Sequence, residues 1–207
     1  MSRKNIILDL DETLIYADAT EDFDLNDYKK KFKSQLASGK EPFTYHNMDD
    51  YYLVFERPHL QEFLDYAFKN FNVSIWTAAS KDYALFIIKN IIIGNHKDRK
   101  LDFIFFNFHC NCSKKHNKKT KNLRMLWDVY HLPGYNNQNT FIMDDYSEVY
   151  DTQSDNCIIA EEFSIHNNKS EKDDFLKRAI PVLEQIKNHS DISPVITEFN
   201  NKNKSLQ

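Results

Sequence analysis

Four aspartates and a threonine stand where their side chains can meet. Asp9 ends the apolar run Asn5-Ile6-Ile7-Leu8, and Asp11 follows two positions later. Thr77 ends Val73-Ser74-Ile75-Trp76, and Asp144 ends Thr140-Phe141-Ile142-Met143 with Asp145 directly after it. Four carboxylates in one small volume cannot all stay ionised without a counter-charge, because like charges at close range drive protonation. A divalent cation removes that conflict. Mg2+ suits the donor set, since it takes oxygen ligands, keeps several waters and is held by one or two carboxylates plus a substrate phosphate. A metal, an in-line nucleophile and a cation for the equatorial charge are the requirements of phosphoryl transfer.

Position suggests roles. Asp9, at the tip of its run, can reach phosphorus directly, and carboxylates form phosphoryl intermediates. Asp11 can protonate a leaving oxygen and then deprotonate water. Thr77 can hydrogen-bond a phosphoryl oxygen, and a lysine from the segment 114–121 can stabilise the shared charge. Taken singly, D-x-D-x-T is usually a loop or cap, and an Asp-Asp pair is usually a solvated turn. Together they end three apolar runs of the same kind, and that combination points to a site.

The runs must be strands buried on both faces, being continuous and rich in β-branched and aromatic residues. Helical periodicity lies between them, over 59–71 (after Pro58), 81–93, 121–131 and 171–187, with 101–108 and 157–160 as further strands. In 81–93 the residues expected inward are Ala84, Leu85, Ile87 and Ile88. Strands alternating with helices imply an α/β fold, a parallel sheet with helices on both faces and right-handed crossovers. Ligands bind beyond the carboxyl ends of such strands, where all five residues would converge. Residues 1–187 read as one domain with an insertion at about 18–56, holding a helix over 24–38 and a hairpin around Met48-Asp49-Asp50. The polar stretch 188–207 reads as a flexible tail.

With 41% hydrophobic and 28% charged residues and a net charge of -4, the chain has no global attraction to nucleic acid or anionic membrane. Three cysteines without framework spacing argue against a disulfide scaffold. No signal peptide or spanning segment is evident, so a soluble intracellular protein of cytoplasm or nucleus is expected. Lys114, Lys115, Lys118, Lys119, Lys121 and Arg124 form the basic cluster, whose place suits steering of an anion. His109-Cys110-Asn111-Cys112 with His116 lacks the spacing of a common zinc module. Tyr51, Tyr52 and Phe55 read as insertion core rather than as a substrate groove.

The run D-L-D-E-T-L at 9–14 resembles the first signature of haloacid-dehalogenase-type phosphatases. E-R-P-H-L at 56–60, followed by Glu62-Phe63-Leu64, resembles the branch that dephosphorylates the C-terminal domain of RNA polymerase II, also called NLI-interacting-factor-like. W-T-A-A-S at 76–80, with Lys81-Asp82-Tyr83-Ala84 after it, and I-M-D-D at 142–145 are similar to that branch's second and acidic motifs. The likeness runs from about 5 to 160.

The resemblance implies a haloacid-dehalogenase-like fold and a Mg2+-dependent phosphatase passing through an aspartyl-phosphate. Asp9 would be the nucleophile and Asp11 the acid/base, with the Asp11 backbone carbonyl on the metal. Asp9, Asp11, Asp144 and Asp145 form the candidate metal set. Thr77 would hold phosphate, with Thr13, Ala78 and Lys119 as further substrate-binding candidates. Lys121 fits the motif lysine by spacing, with Lys115, Lys118 and Lys119 near enough to compete. The implied substrate is a phosphorylated protein, with the polymerase tail as one candidate. A nucleic-acid 3′ end or small metabolite is the alternative, and a catalytically weak phosphoprotein scaffold a second. Two departures stand out: Asp145 occupies a position often Asn in this branch, and His109 falls near where the branch carries a substrate-contacting arginine.

Overall fold

The computed structural model describes residues 3–204. Its centre is a five-stranded parallel sheet in the order β6-β5-β1-β7-β8. The strands are β1 (Asn5–Leu8), β5 (Asn72–Trp76), β6 (Leu101–Phe105), β7 (Thr140–Asp144) and β8 (Cys157–Ile159). β1 is fully buried because it lies between β5 and β7, with Ile6 opposite both Val73 and Phe141. Helices cover both faces, and the core runs on each side of the sheet. The expected fold class is the observed one.

The insertion departs from β1 sooner than expected. β2 (Ile15–Ala19) follows the first motif directly and pairs antiparallel with β4 (Tyr52–Glu56), which pairs with β3 (Tyr45–Met48). The β3–β4 turn has Asp49 and Asp50 at positive φ, a conformation that Asp tolerates better than most residues. The helix expected over 24–38 is two short ones, α1 (Leu25–Lys31), capped by the Asp24 carboxylate, and α2 (Lys33–Ala37). Phe32 separates them and is buried with Phe43, Phe55, Phe163 and Ile165. Phe55 is insertion core as expected, but Tyr51 and Tyr52 are exposed.

α3 (Leu60–Asn70) and α4 (Lys81–Ile87), the latter continued by a π-helical turn over Ile88–Ile93, pack beside β5. In α4 it is Tyr83, not Leu85, that turns inward; Leu85 is exposed. β6 ends at Phe105, and the strand expected to reach 108 gives way to α5 (Asn107–Asn117), so Cys110 and Cys112 are helical. The helix expected over 121–131 shrinks to a π-helical turn at Met125–Val129. α6 (Ser147–Thr152) follows β7, and α7 (Phe175–Asn188) begins a few residues after the expected start.

The expected flexible tail is instead helical across Ser193–Lys204 (α8), with Ile192, Val195, Ile196 and Phe199 buried; 205–207 lie outside the described residues. Its polarity misled because its asparagines are used internally. Asn200 donates to Cys157 O at 2.8 Å and accepts from Ile159 N at 3.2 Å, serving the open edge of β8. Among the described residues no helix is long and apolar enough to cross a membrane.

Candidate active site

Asp9 N donates to Met143 O (3.0 Å), which carries the β1–β7 ladder one residue past the strand and aims Asp9 out of the sheet's carboxyl end. The loop beyond is a tight return: Leu14 N and Ile15 N both donate to Leu10 O, and Glu12 sits at φ 59°. Arg57 fixes that loop from below. Its Nη1 donates to Thr13 O (3.0 Å), while Nε and Nη2 grip Asp173 at 2.8 and 2.7 Å. The guanidinium lies over the rings of Phe163 and Phe175, and such planar two-point geometry is specific to arginine.

Lys121 stands at the centre. Its Nζ is 2.7 Å from Asp9 Oδ1 and 2.7 Å from Asp144 Oδ2, and all three side chains are buried. The lysine backbone has φ 45°, held by a clamp of side chains. Ser113 Oγ donates to Lys119 O and accepts from Asn122 N, while Gln153 accepts from Leu123 N and donates to Lys121 O. Lys119 is excluded from the centre; it is half-exposed on the rim, 3.8 Å from Glu148.

Asp9, Asp144 and Asp145 each bring a carboxylate oxygen within 4.8 Å of the others. Thr13 is buried and turned to the acidic pair: its Oγ1 donates to Asp145 Oδ1 (2.7 Å) and accepts from Asp145 N (3.1 Å). Tyr146 N donates to Asp144 Oδ1 at 3.0 Å. Burial pushes the Asp9 carboxyl well above the usual range, an effect that Lys121 opposes and the charges of Asp144 and Asp145 reinforce. Burial likewise raises Asp144, again against Lys121. Burial alone would lower Lys121, but Asp9 and Asp144 hold it above an ordinary lysine. The oxygen-only donors and their surplus of carboxylates over ammonium fit a hard divalent cation such as Mg2+.

Asp11 faces the same crevice, its carboxyl raised by burial and drawn back by a hydrogen bond from Tyr83. Thr77 is buried at the tip of β5, its Oγ1 accepting from Ala79 N (3.0 Å), while Ala78 is exposed beside it. His109, near the place of the expected arginine, stacks on Phe105 with centroids 4.1 Å apart and accepts from Phe106 N through Nδ1. It caps α5. Cys110 packs in the core with Sγ 3.5 Å from Thr77 O, and no His/Cys metal cluster exists among the described residues. Sequence reasoning missed Arg57 with Asp173, the Ser113–Gln153 clamp and the contact of Tyr83. Arg57 and Tyr83 lay inside the quoted motifs, but nothing in the spacing showed what they touch.

A strand-tip aspartate facing a lysine and an acidic pair, on a five-stranded parallel sheet, defines a phosphatase fold of the haloacid-dehalogenase type. Residues 4–193 match the family described as NLI interacting factor-like phosphatase. The chain is 46% identical over 184 residues to the CTD phosphatase-like protein 355R of Invertebrate iridescent virus 6, covering 87% of this chain and 97% of that one. With the protein of the same name from Invertebrate iridescent virus 3 it shares 40% identity over 190 residues, 89% of this chain and 97% of that one. Among solved structures, that of Fcp1, an essential RNA polymerase II CTD phosphatase, superposes with a TM-score of 0.63 at 17% identity, covering 94% of this chain and 69% of Fcp1. The chain belongs to the NLI interacting factor-like phosphatase family and is a phosphatase.

Proposed function

We propose that the chain is a Mg2+-dependent phosphatase of phosphorylated proteins that works through an aspartyl-phosphate on Asp9. The observation that carries this reading is the Lys121 ammonium bridging Asp9 and Asp144 at 2.7 Å each. This arrangement supports a role for Asp9 Oδ2 as the attacking oxygen, with the ammonium as a fixed positive charge to offset the negative charge of the transferring group. Thr77, with its oxygen already accepting from Ala79 N, has its hydroxyl proton available for a phosphoryl oxygen. Asp11 protonates the leaving oxygen and then takes a proton from the attacking water. Asp144, Asp145 and the Asp9–Asp11 loop would hold the metal. When bound, Mg2+ offsets the carboxylate charge and neutralises the phosphate oxygens.

The protein substrate is argued from family membership and from the CTD phosphatase names of its relatives. The RNA polymerase II tail is the first candidate. Three free cysteines suit an intracellular setting in cytoplasm or nucleus. The test is Mg2+-dependent phosphate release from a phosphoserine heptad peptide and a 3′-phosphorylated oligonucleotide, assayed side by side. Faster release from the peptide is expected. Faster release from the oligonucleotide would overturn the substrate class while keeping the chemistry.

A further inference from the structure

One contact inside the site joins three separate parts of the chain. Tyr83 donates its hydroxyl to Asp11 Oδ1 at 2.5 Å. Its ring is buried, and its helix α4 starts immediately after the 77–80 loop, with Ser80 Oγ accepting from Tyr83 N at 3.4 Å. The ring meets Tyr52 of the insertion edge-on, with centroids 5.6 Å apart and planes at 82°. Tyr83 therefore touches the first motif through Asp11, the second motif through Ser80 and the insertion through Tyr52.

We propose that Tyr83 is the positioning residue for the acid/base Asp11, fixing its carboxyl so that Oδ2 is the oxygen that delivers a proton to the leaving group. This rests on the reading of Asp11 as the acid/base. A short O–H···O bond to a carboxyl group is strong and directional, so it selects one rotamer of an otherwise two-fold side chain. With Oδ1 accepting from Tyr83, Oδ2 is left to carry the proton. In the first step an Asp9 oxygen forms a bond to phosphorus as the bond from phosphorus to the leaving oxygen breaks, and the Asp11 proton passes to that oxygen. In the second, water bonds to phosphorus as the Asp9–phosphorus bond breaks, and the water proton returns to Asp11. Tyr83 exchanges no proton in either step. Tyr52 braces the Tyr83 ring, which gives the insertion a mechanical link to the acid without touching it.

Leaving-group dependence separates this role from a purely structural one. An aryl phosphate such as p-nitrophenyl phosphate departs without protonation, whereas the serine oxygen of a phosphopeptide needs the proton. For Tyr83→Phe, the ratio of kcat/KM on the aryl phosphate to kcat/KM on the phosphopeptide is expected to rise about tenfold or more, a fraction of what general acid catalysis supplies. Because both rates come from one preparation, the ratio does not depend on how much of the variant folds. Asp11→Asn should raise the same ratio further, and adding Tyr83→Phe to it should change nothing more. An unchanged ratio in Tyr83→Phe, with the rise present in Asp11→Asn, overturns the proposal alone. No rise in Asp11→Asn overturns the reading of Asp11 and the proposal with it. Additive effects in the double variant would show that Tyr83 acts independently of Asp11, which also overturns it.

Discussion

Lys121 is a buried charge on a left-handed backbone, two unfavourable choices at one residue. Both are sustained by neighbours: two carboxylates satisfy the ammonium, and Ser113 and Gln153 hold the turn. Strain of this kind persists where surrounding structure over-determines it, and it clusters at functional sites. Lys121→Ala should therefore lower kcat/KM at least tenfold more than Lys119→Ala, a difference of about 1.4 kcal/mol in transition-state binding. Steady-state kinetics of the two variants checks this, and equal losses would contradict it. Asp9, Asp11, Thr77 and the acidic pair were legible because each follows a strand whose apolar run is unmistakable. Spacing alone could not separate Lys121 from Lys119, since both lie in one loop; the clamp that turns one inward joins residues far apart in the chain. Thr13 is another such case. It stood among the substrate candidates, yet its hydroxyl is engaged with Asp145.

Among the elements, the loop that carries Asp9 and Asp11 is tied to a cation outside the site. Arg57 ties Thr13 O to Asp173 and so links the first motif to the start of α7. Removing one partner of a buried, hydrogen-bonded pair leaves the other uncompensated, at a cost of about 3–5 kcal/mol. Arg57→Met should lower the unfolding midpoint by roughly 6–20 °C in a chain of this size, measured by calorimetry. A midpoint within a degree or two of the parent would show that the pair is not needed. The three central strands, β5, β1 and β7, were readable because burial on both faces demands continuous apolar runs, whereas the edge strand β6 is only half-buried. α8 was not readable, because its Asn-rich composition resembles a solvated tail while Asn200 is spent on the β8 edge. α5 was missed for a related reason: its outward face is polar and lysine-rich, and only Cys110 and Ser113 are buried.

For the molecule as a whole, charge is unevenly spread. The net charge is -4, yet Lys114, Lys115, Lys118 and Lys119 are all exposed on or just beyond α5. The start of that helix is tied to the loop after β5 by Asn107 N bonded to Ala79 O, and its Ser113 holds the Lys119–Asn122 turn that carries Lys121. For the proposed anionic substrate, these lysines would supply an attraction effective within a Debye length of about 10 Å at 0.1 M salt. Replacing Lys114, Lys115 and Lys118 together by Gln should raise KM for a phosphopeptide about three- to tenfold and flatten its salt dependence, leaving kcat near the parent value. Titration of kcat and KM against NaCl reads this directly. A loss confined to kcat would place the cluster in the chemistry instead.

The proposed chemistry is covalent: phosphate would pass to Asp9 before it reaches water. Asp11→Asn should slow the second step more than the first when the leaving group is an aryl oxide, so the intermediate should accumulate. Acid-quenched Asp11→Asn enzyme, mixed with Mg2+ and p-nitrophenyl phosphate, should yield one phosphoryl group on the peptide carrying Asp9, seen by mass spectrometry. The same experiment with Asp9→Asn added should yield none. Steady phosphate release from a folded Asp9→Asn protein, with no phosphorylated peptide in either variant, would contradict the account.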